Sequence, residues 1–206
     1  MRRATLAVAL AAAATASTGC ATVGFGGSPT LEVSSDISGA VLTPRWRAAV
    51  YQFTDLNTAD IYLSDLPLEV IASDDLADLD NAAGSIMHIR FFLAPKAGRT
   101  PISFDASNVI IRHLVIAPAT AGLYGGGGFM LPRDDAGDPT FEGRVRNATM
   151  RLVESGPGFA DRLGAARVDG FVSAALDQPA ATAVARTFTN ILRERVPKAS
   201  AAAPAR

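Results

Sequence analysis

The stretch "SIMHIRFFL", residues 85–93, alternates: Met87, Ile89, Phe91 and Leu93 fall on one side of an extended chain, while His88 and Arg90 fall on the other. Successive side chains of a strand point to opposite faces, so this period of two predicts a strand with one face in a core. Related patterns occur at Arg45–Phe53, Thr58–Leu63, Ser107–Ile116, Gly127–Leu131, Phe141–Val153 and Val168–Leu176. Between them lie "APKAGRTP" (94–101), "DDAGDP" (134–139) and "SGPG" (155–158), rich in the residues that turns require. Short strands separated by turn chemistry read as an antiparallel sandwich or barrel. The expected fold is mainly β, an antiparallel β-sandwich of about seven strands with one C-terminal α-helix packed on it. No repeated strand–helix alternation is present, which argues against a Rossmann-type sheet.

The helix is read from Asp177, a good N-cap, with Pro179 in the first turn and Val184, Phe188, Ile191 and Leu192 at helical spacing. Pro197 cannot continue it. A shorter helix is expected at Ser73–Leu79, where Ser73 is placed to cap "DDLADL".

The chain has 206 residues and a formal charge of −1. That length suits one main domain, and interspersed charges without a basic face argue against nucleic acid as a partner. Residues 1–20, "MRRATLAVALAAAATASTGC", place two arginines before an uncharged run ending near Ala16. At about 1.5 Å per residue this run is too short to cross a hydrocarbon core of about 30 Å, so it reads as a signal segment. Its end, Ser17-Thr18-Gly19-Cys20, resembles the lipobox of bacterial lipoproteins. The resemblance implies that Cys20 receives a diacylglyceryl group and becomes the mature N-terminus. Leucine is commonest in that family where Ser17 stands here. Ordinary cleavage at Ala14-Thr15-Ala16 is the alternative, leaving Cys20 as a free thiol. Stable anchoring takes more than one acyl chain, and a lipobox cysteine carries two or three by resemblance. Ala21 stands where an inner-membrane retention signal would be aspartate, so the outer membrane is the expected address.

The resulting layout is a signal peptide at 1–19, a lipidated Cys20 and flexible tether at 20–43, a β-domain with its C-terminal helix at 44–196, and a disordered tail at 197–206. The tether rests on the Gly, Ser and Thr content of 21–43, and the tail on "PKASAAAPAR".

The glycine run in "LYGGGGFMLP" (123–132) fits no phosphate template: no Gly-Lys-Ser/Thr follows, and G-x-G-x-x-G counted from Gly125 lands on Met130. Gly125, Gly126, Gly127 and Gly128 therefore read first as a hinge, turn or bulge, or a place where another backbone comes close. The alternative is a mobile flap in which Tyr124 and Phe129 contact a ligand. His88 and His113 are the only histidines, a thin basis for a metal site, and each reads as a satisfied or solvent-facing side chain. Asp74, Asp75, Asp78 and Asp80, and again Asp134, Asp135 and Asp138, lack calcium-loop spacing and read as solvated surface. There is no G-x-S-x-G nucleophile elbow, and Asp161 in "GFADRLG" reads as bracing a turn with Arg162. Arg45, Arg47, Arg90, Lys96 and Arg99 read as ordinary exposed charges.

No catalytic residue, metal or cofactor is implied. The expectation is a membrane-anchored envelope lipoprotein with a non-catalytic interaction domain and an envelope protein as partner. One alternative is a small-ligand carrier or transport accessory with an apolar pocket under Gly125–Gly128. Another is an envelope hydrolase assembled only by folding.

Overall fold

The alternation at 85–93 becomes strand β5 (Gly84–Phe91), with Met87, Ile89 and Phe91 buried on one face. The computed structural model describes residues 28–73, 76–92 and 107–196, so Leu93 and the turn at 94–101 lie outside the described residues. The remaining strands are β1 (Glu32–Ser35), β2 (Val41–Leu42), β3 (Ala48–Asp55), β4 (Thr58–Ser64), β6 (Val109–Ala117), β7 (Thr120–Pro132), β8 (Thr140–Ser155) and β9 (Ala166–Leu176). Helix α1 (Leu68–Ile71) and a 3₁₀ turn (Leu76–Leu79) follow β4, and helix α2 (Gln178–Arg195) follows β9.

The strand order is β2-β1-β9-β3-β4-β5-β6-β7-β8, with a further pairing of β8 to β9. Strands β3 to β9 thus close on themselves as a ring, and the β1–β2 hairpin adds to the first half of β9. Closure gives each ring strand a partner on both sides, with β3 and β9 meeting at two positions, which shortens the edge open to another chain. Among the described residues the pairings are antiparallel except where β3 meets β9, with Val50 opposite Ala175 and Tyr51 opposite Leu176. The mainly β, largely antiparallel fold with one C-terminal helix is the one expected. Its strands form one continuous sheet around a single interior.

Two cores result, because both faces of the central strands are covered. Inside the ring lie Tyr51, Ile61, Leu63, Met87, Ile89, Phe91, Ile111 and Phe141. Outside it, Val50, Tyr62, Ile86, Leu114 and Leu123 meet Val184, Phe188 and Ile191 of α2. The helix therefore takes a sheet face. The Asp177 carboxylate accepts from Ala180 N at 2.9 Å, and Pro179 sits in the first turn as read. Removing a side-chain cap costs about 1 kcal/mol. Asp177→Ala is accordingly expected to lower unfolding stability in urea by about that amount.

Three expectations change. Residues 20–43 are not a tether throughout: β1 and β2 lie within them, with Leu31 at 1% and Val33 at 0% exposure. Two apolar side chains suffice because β1 pairs with β9, and the Leu31 carbonyl accepts from Trp46 Nε1 at 3.2 Å. The short helix expected at Ser73–Leu79 is a 3₁₀ turn at Leu76–Leu79, with α1 formed earlier, behind Pro67. Strand β7 begins at Thr120, not Gly127, so the glycine run lies inside a strand. Residues 1–19, Cys20 and the tail 197–206 lie outside the described residues.

Candidate functional site

The four glycines form neither a hinge between strands nor a flap. Gly125 to Gly128 are paired on one side with β6 residues Arg112 to Val109, and Gly125 to Gly127 on the other with Arg151 to Thr149 of β8. Alternation splits the run by face. A Cβ on Gly126 would stand 1.8 Å from the Thr149 carbonyl oxygen, and one on Gly128 2.5 Å from Ala148 Cβ. These inward positions let β8 come close where it bulges between Val145 and Ala148, with Asn147 at φ 50°. Gly125 and Gly127 face outward. They leave bare backbone between Ile110 and Arg112 on one side and Thr149 and Arg151 on the other.

Tyr124 and Phe129 sit at positions of opposite parity in β7, so they do not converge on one ligand. Tyr124 is buried in the ring, and its hydroxyl donates to Asp161 Oδ1 at 2.7 Å. Burial, reinforced by that carboxylate, holds the phenol well above its ordinary range. Asp161 also accepts from Leu163 N and Gly164 N, so it braces its turn through backbone amides and Tyr124. On the interior side of the glycines pack Val109, Ile111, Tyr124, Met130 and Met150, and a concavity of about 350 Å³ at the run is lined by Gly125, Gly126, Thr149, Met150, Arg151 and Ala165.

His88 is satisfied, as read. Its Nε2 lies 2.7 Å from Asp60 Oδ1, and its ring stacks on Tyr62 at 4.7 Å with the edge of Phe188 nearby. Burial works to raise the Asp60 carboxyl, but the His88 hydrogen bond and the charge of Arg90 outweigh it and hold the group below the usual carboxylate range. Burial pushes the Tyr62 phenol up to about 12, so it stays protonated beside the pair. Among the described residues no serine, threonine or cysteine hydrogen-bonds to His88. The sequence shows no link between Asp60 and His88. The link follows from β4–β5 register, which sets Tyr62 opposite His88 and Asp60 opposite Arg90.

His113 departs from expectation. It is fully buried on the inner face of β6, between Met87 of β5 and Tyr124 of β7, and among the described residues neither ring nitrogen has a hydrogen-bond partner. Burial alone pushes its pKa down to about 4, so the ring is neutral near pH 7.

Three of the acidic side chains hold local contacts. Asp138 Oδ2 accepts from Asp135 N, and Asp134 Oδ2 from Glu142 N, closing the β7–β8 turn, while Asp80 pairs with Arg195 at 3.1 Å. Asp74, Asp75, Lys96 and Arg99 lie outside the described residues.

One concavity combines apolar side chains with charged ones. A cleft of about 410 Å³ opens on the outer face between α2 and strands β6 to β8, lined by Arg112, Leu123, Glu154, Thr189, Leu192, Arg193 and Val196. The Arg112 guanidinium lies 5.0 Å from the Phe188 ring centroid. Among the described residues no carboxylate is within ion-pairing distance of it. In the sequence Arg112, with His113, interrupts the otherwise apolar run from Val109 to Ile116. No protein-family model, curated protein or solved structure matches the chain. What the site can do therefore rests on its own geometry.

Proposed function

We propose that the chain is a lipid-anchored protein of the bacterial envelope, held at the outer membrane through Cys20, whose β-domain binds a protein partner without turnover chemistry. The lipobox-like end of the leader supports the anchor. The observation that carries the binding role is the outer face of β6 to β8. There Ile110 at 47%, Leu131 at 43% and Val153 at 57% exposure are uncovered apolar side chains on strands that include or flank the glycine backbone, interspersed with the exposed Arg144, Arg146 and Arg151. Cys20→Ser is expected to move the protein from the membrane fraction to the soluble fraction. Unchanged sedimentation with membranes would refute the anchor.

A second reading, carriage of a small ligand, has the cleft beside Arg112 in its favour. Its volume falls within the usual range for small-molecule sites of about 300–1,000 Å³. It lies beside the glycine strip, not beneath it.

A further inference from the structure

The cleft between α2 and the outer face of β6 to β8 joins two chemistries. Its floor is apolar: Leu123 and Val196 are buried and Leu192 is half-buried. Its polar groups are Arg112, Arg193, Glu154 and the Thr189 hydroxyl, which already donates to the Ala185 carbonyl. Two guanidiniums against one carboxylate leave one positive charge in the lining.

The two arginines differ. Arg193 is exposed and donates to Asn190 Oδ1, so water and a neighbour satisfy it. Arg112 is half-buried and rises from the middle of β6, between His88 of β5 and Gly125 of β7. Its guanidinium carbon lies 5.0 Å from the Phe188 ring centroid. The N–H donors of a guanidinium form a planar fork, and among the described residues they have no carboxylate within ion-pairing distance. A cation withdrawn from water without a counter-charge is unfavourable, and an anion entering the cleft would relieve that. Gly125, opposite Arg112 on the β7 side, adds no side chain of its own to the wall, and the space over it is taken by the exposed Val153 side chain.

We propose that this cleft binds the head of a single-chain, monoanionic amphiphile, with its carboxylate, sulfate or phosphodiester on Arg112 and the start of its acyl chain over Leu123, Leu192 and Val196. The assignment deepens the ligand-carriage reading and is independent of the Cys20 anchor. A fork of parallel donors suits a two-oxygen anion, and the net charge of the lining suits one negative charge. Glu154 on the same rim disfavours dianions, which sets the expected order as monoanion above neutral amphiphile above cationic amphiphile.

The test is calorimetric titration of the Cys20→Ser protein, which lacks its own acyl chains, with dodecanoate, dodecanol and dodecyltrimethylammonium, each below its micellar range. Dodecanoate is expected to bind one to one, at least tenfold tighter than dodecanol, with no binding of the cation. Arg112→Leu is expected to erase the preference for dodecanoate over dodecanol, and Arg112→Lys to keep part of it, with parent-like thermal unfolding in both. Because Arg112→Leu can disturb Phe188, methyl NMR shifts of Leu123, Leu192 and Val196 on adding dodecanoate to the unsubstituted domain give a second readout. Flotation with phosphatidylglycerol vesicles separates the sources: loss of dodecanoate binding on vesicle addition assigns a membrane lipid, and unaffected binding assigns a free amphiphile. Equal binding of dodecanoate and dodecanol would overturn the charge assignment and leave ligand carriage standing. No binding of any of the three, or shifts confined to other methyls, would overturn both.

Discussion

Gly126→Ala is expected to destabilise the domain by about 3 kcal/mol or more, whereas Gly125→Ala, one residue away, should change stability by about 1 kcal/mol at most. The two share a strand and differ in face. The new methyl at 126 would stand 1.8 Å from the Thr149 carbonyl oxygen and 2.7 Å from Met150 Cα, both backbone atoms of β8. Relief requires β8 to separate from β7, which disturbs the β7–β8–β9 part of the ring. At 125 the methyl meets one side-chain atom closely, Val153 Cγ2 at 2.8 Å, and Val153 is exposed and can rotate away. Thermal unfolding separates the two cases. For a domain of this size 1 kcal/mol moves the midpoint by about 2–4 °C, so a drop of about 6–12 °C or more is expected for Gly126→Ala. A drop of equal size for both would contradict the division by face.

The second large effect is pH-dependent and comes from His113. In the folded state burial on the inner face of β6 pushes its pKa down to about 4, below the ordinary value of 6.5. Between these values the unfolded chain binds a proton that the folded chain does not. Stability contributed by this group therefore rises with pH across the window, is complete above about pH 6.5, and is lost as pH falls toward 4. At about 1.4 kcal/mol per pKa unit, the loss is on the order of 3 kcal/mol. His113→Met replaces the ring with a flexible apolar side chain that titrates nowhere in this range. The stability difference between the two proteins should therefore shift by about 3 kcal/mol in favour of the variant from pH 7 to pH 4. Urea unfolding at both pH values gives the difference directly and cancels the carboxylates the two proteins share. A difference constant with pH would mean that the imidazole reaches a partner or water.

The fold was legible where each strand has two distinct faces. Residues 85–93 show the alternation because Met87, Ile89 and Phe91 enter the ring while His88 and Arg90 do not. Asp177 and the spacing of Val184, Phe188 and Ile191 gave α2 for the same kind of reason. The first half of β7 was hidden because glycines carry no apolar signal: its inward positions beyond Tyr124 are empty to admit β8. Strand β1 was hidden because Val33, with Leu31 just before the strand, carries the apolar burial within a Ser- and Gly-rich stretch. The candidate site was less legible, since its charges acquire meaning only through register and helix placement. Arg112 and His113 are neighbours in sequence, yet one opens onto the α2 cleft and the other is sealed in the ring. Nothing local distinguishes them before the parity of β6 is known.

Everything proposed for the outer face requires Gly125–Gly128 to be a strand locked between β6 and β8. Amide hydrogen exchange followed residue by residue measures this most directly. The glycine amides are expected to be protected to within about tenfold of those of Ile89 and Ile111, because all would open only with the ring. Exchange of the four glycines at the rate of an unstructured loop, with Ile89 and Ile111 still protected, would contradict the closed ring and restore the flap.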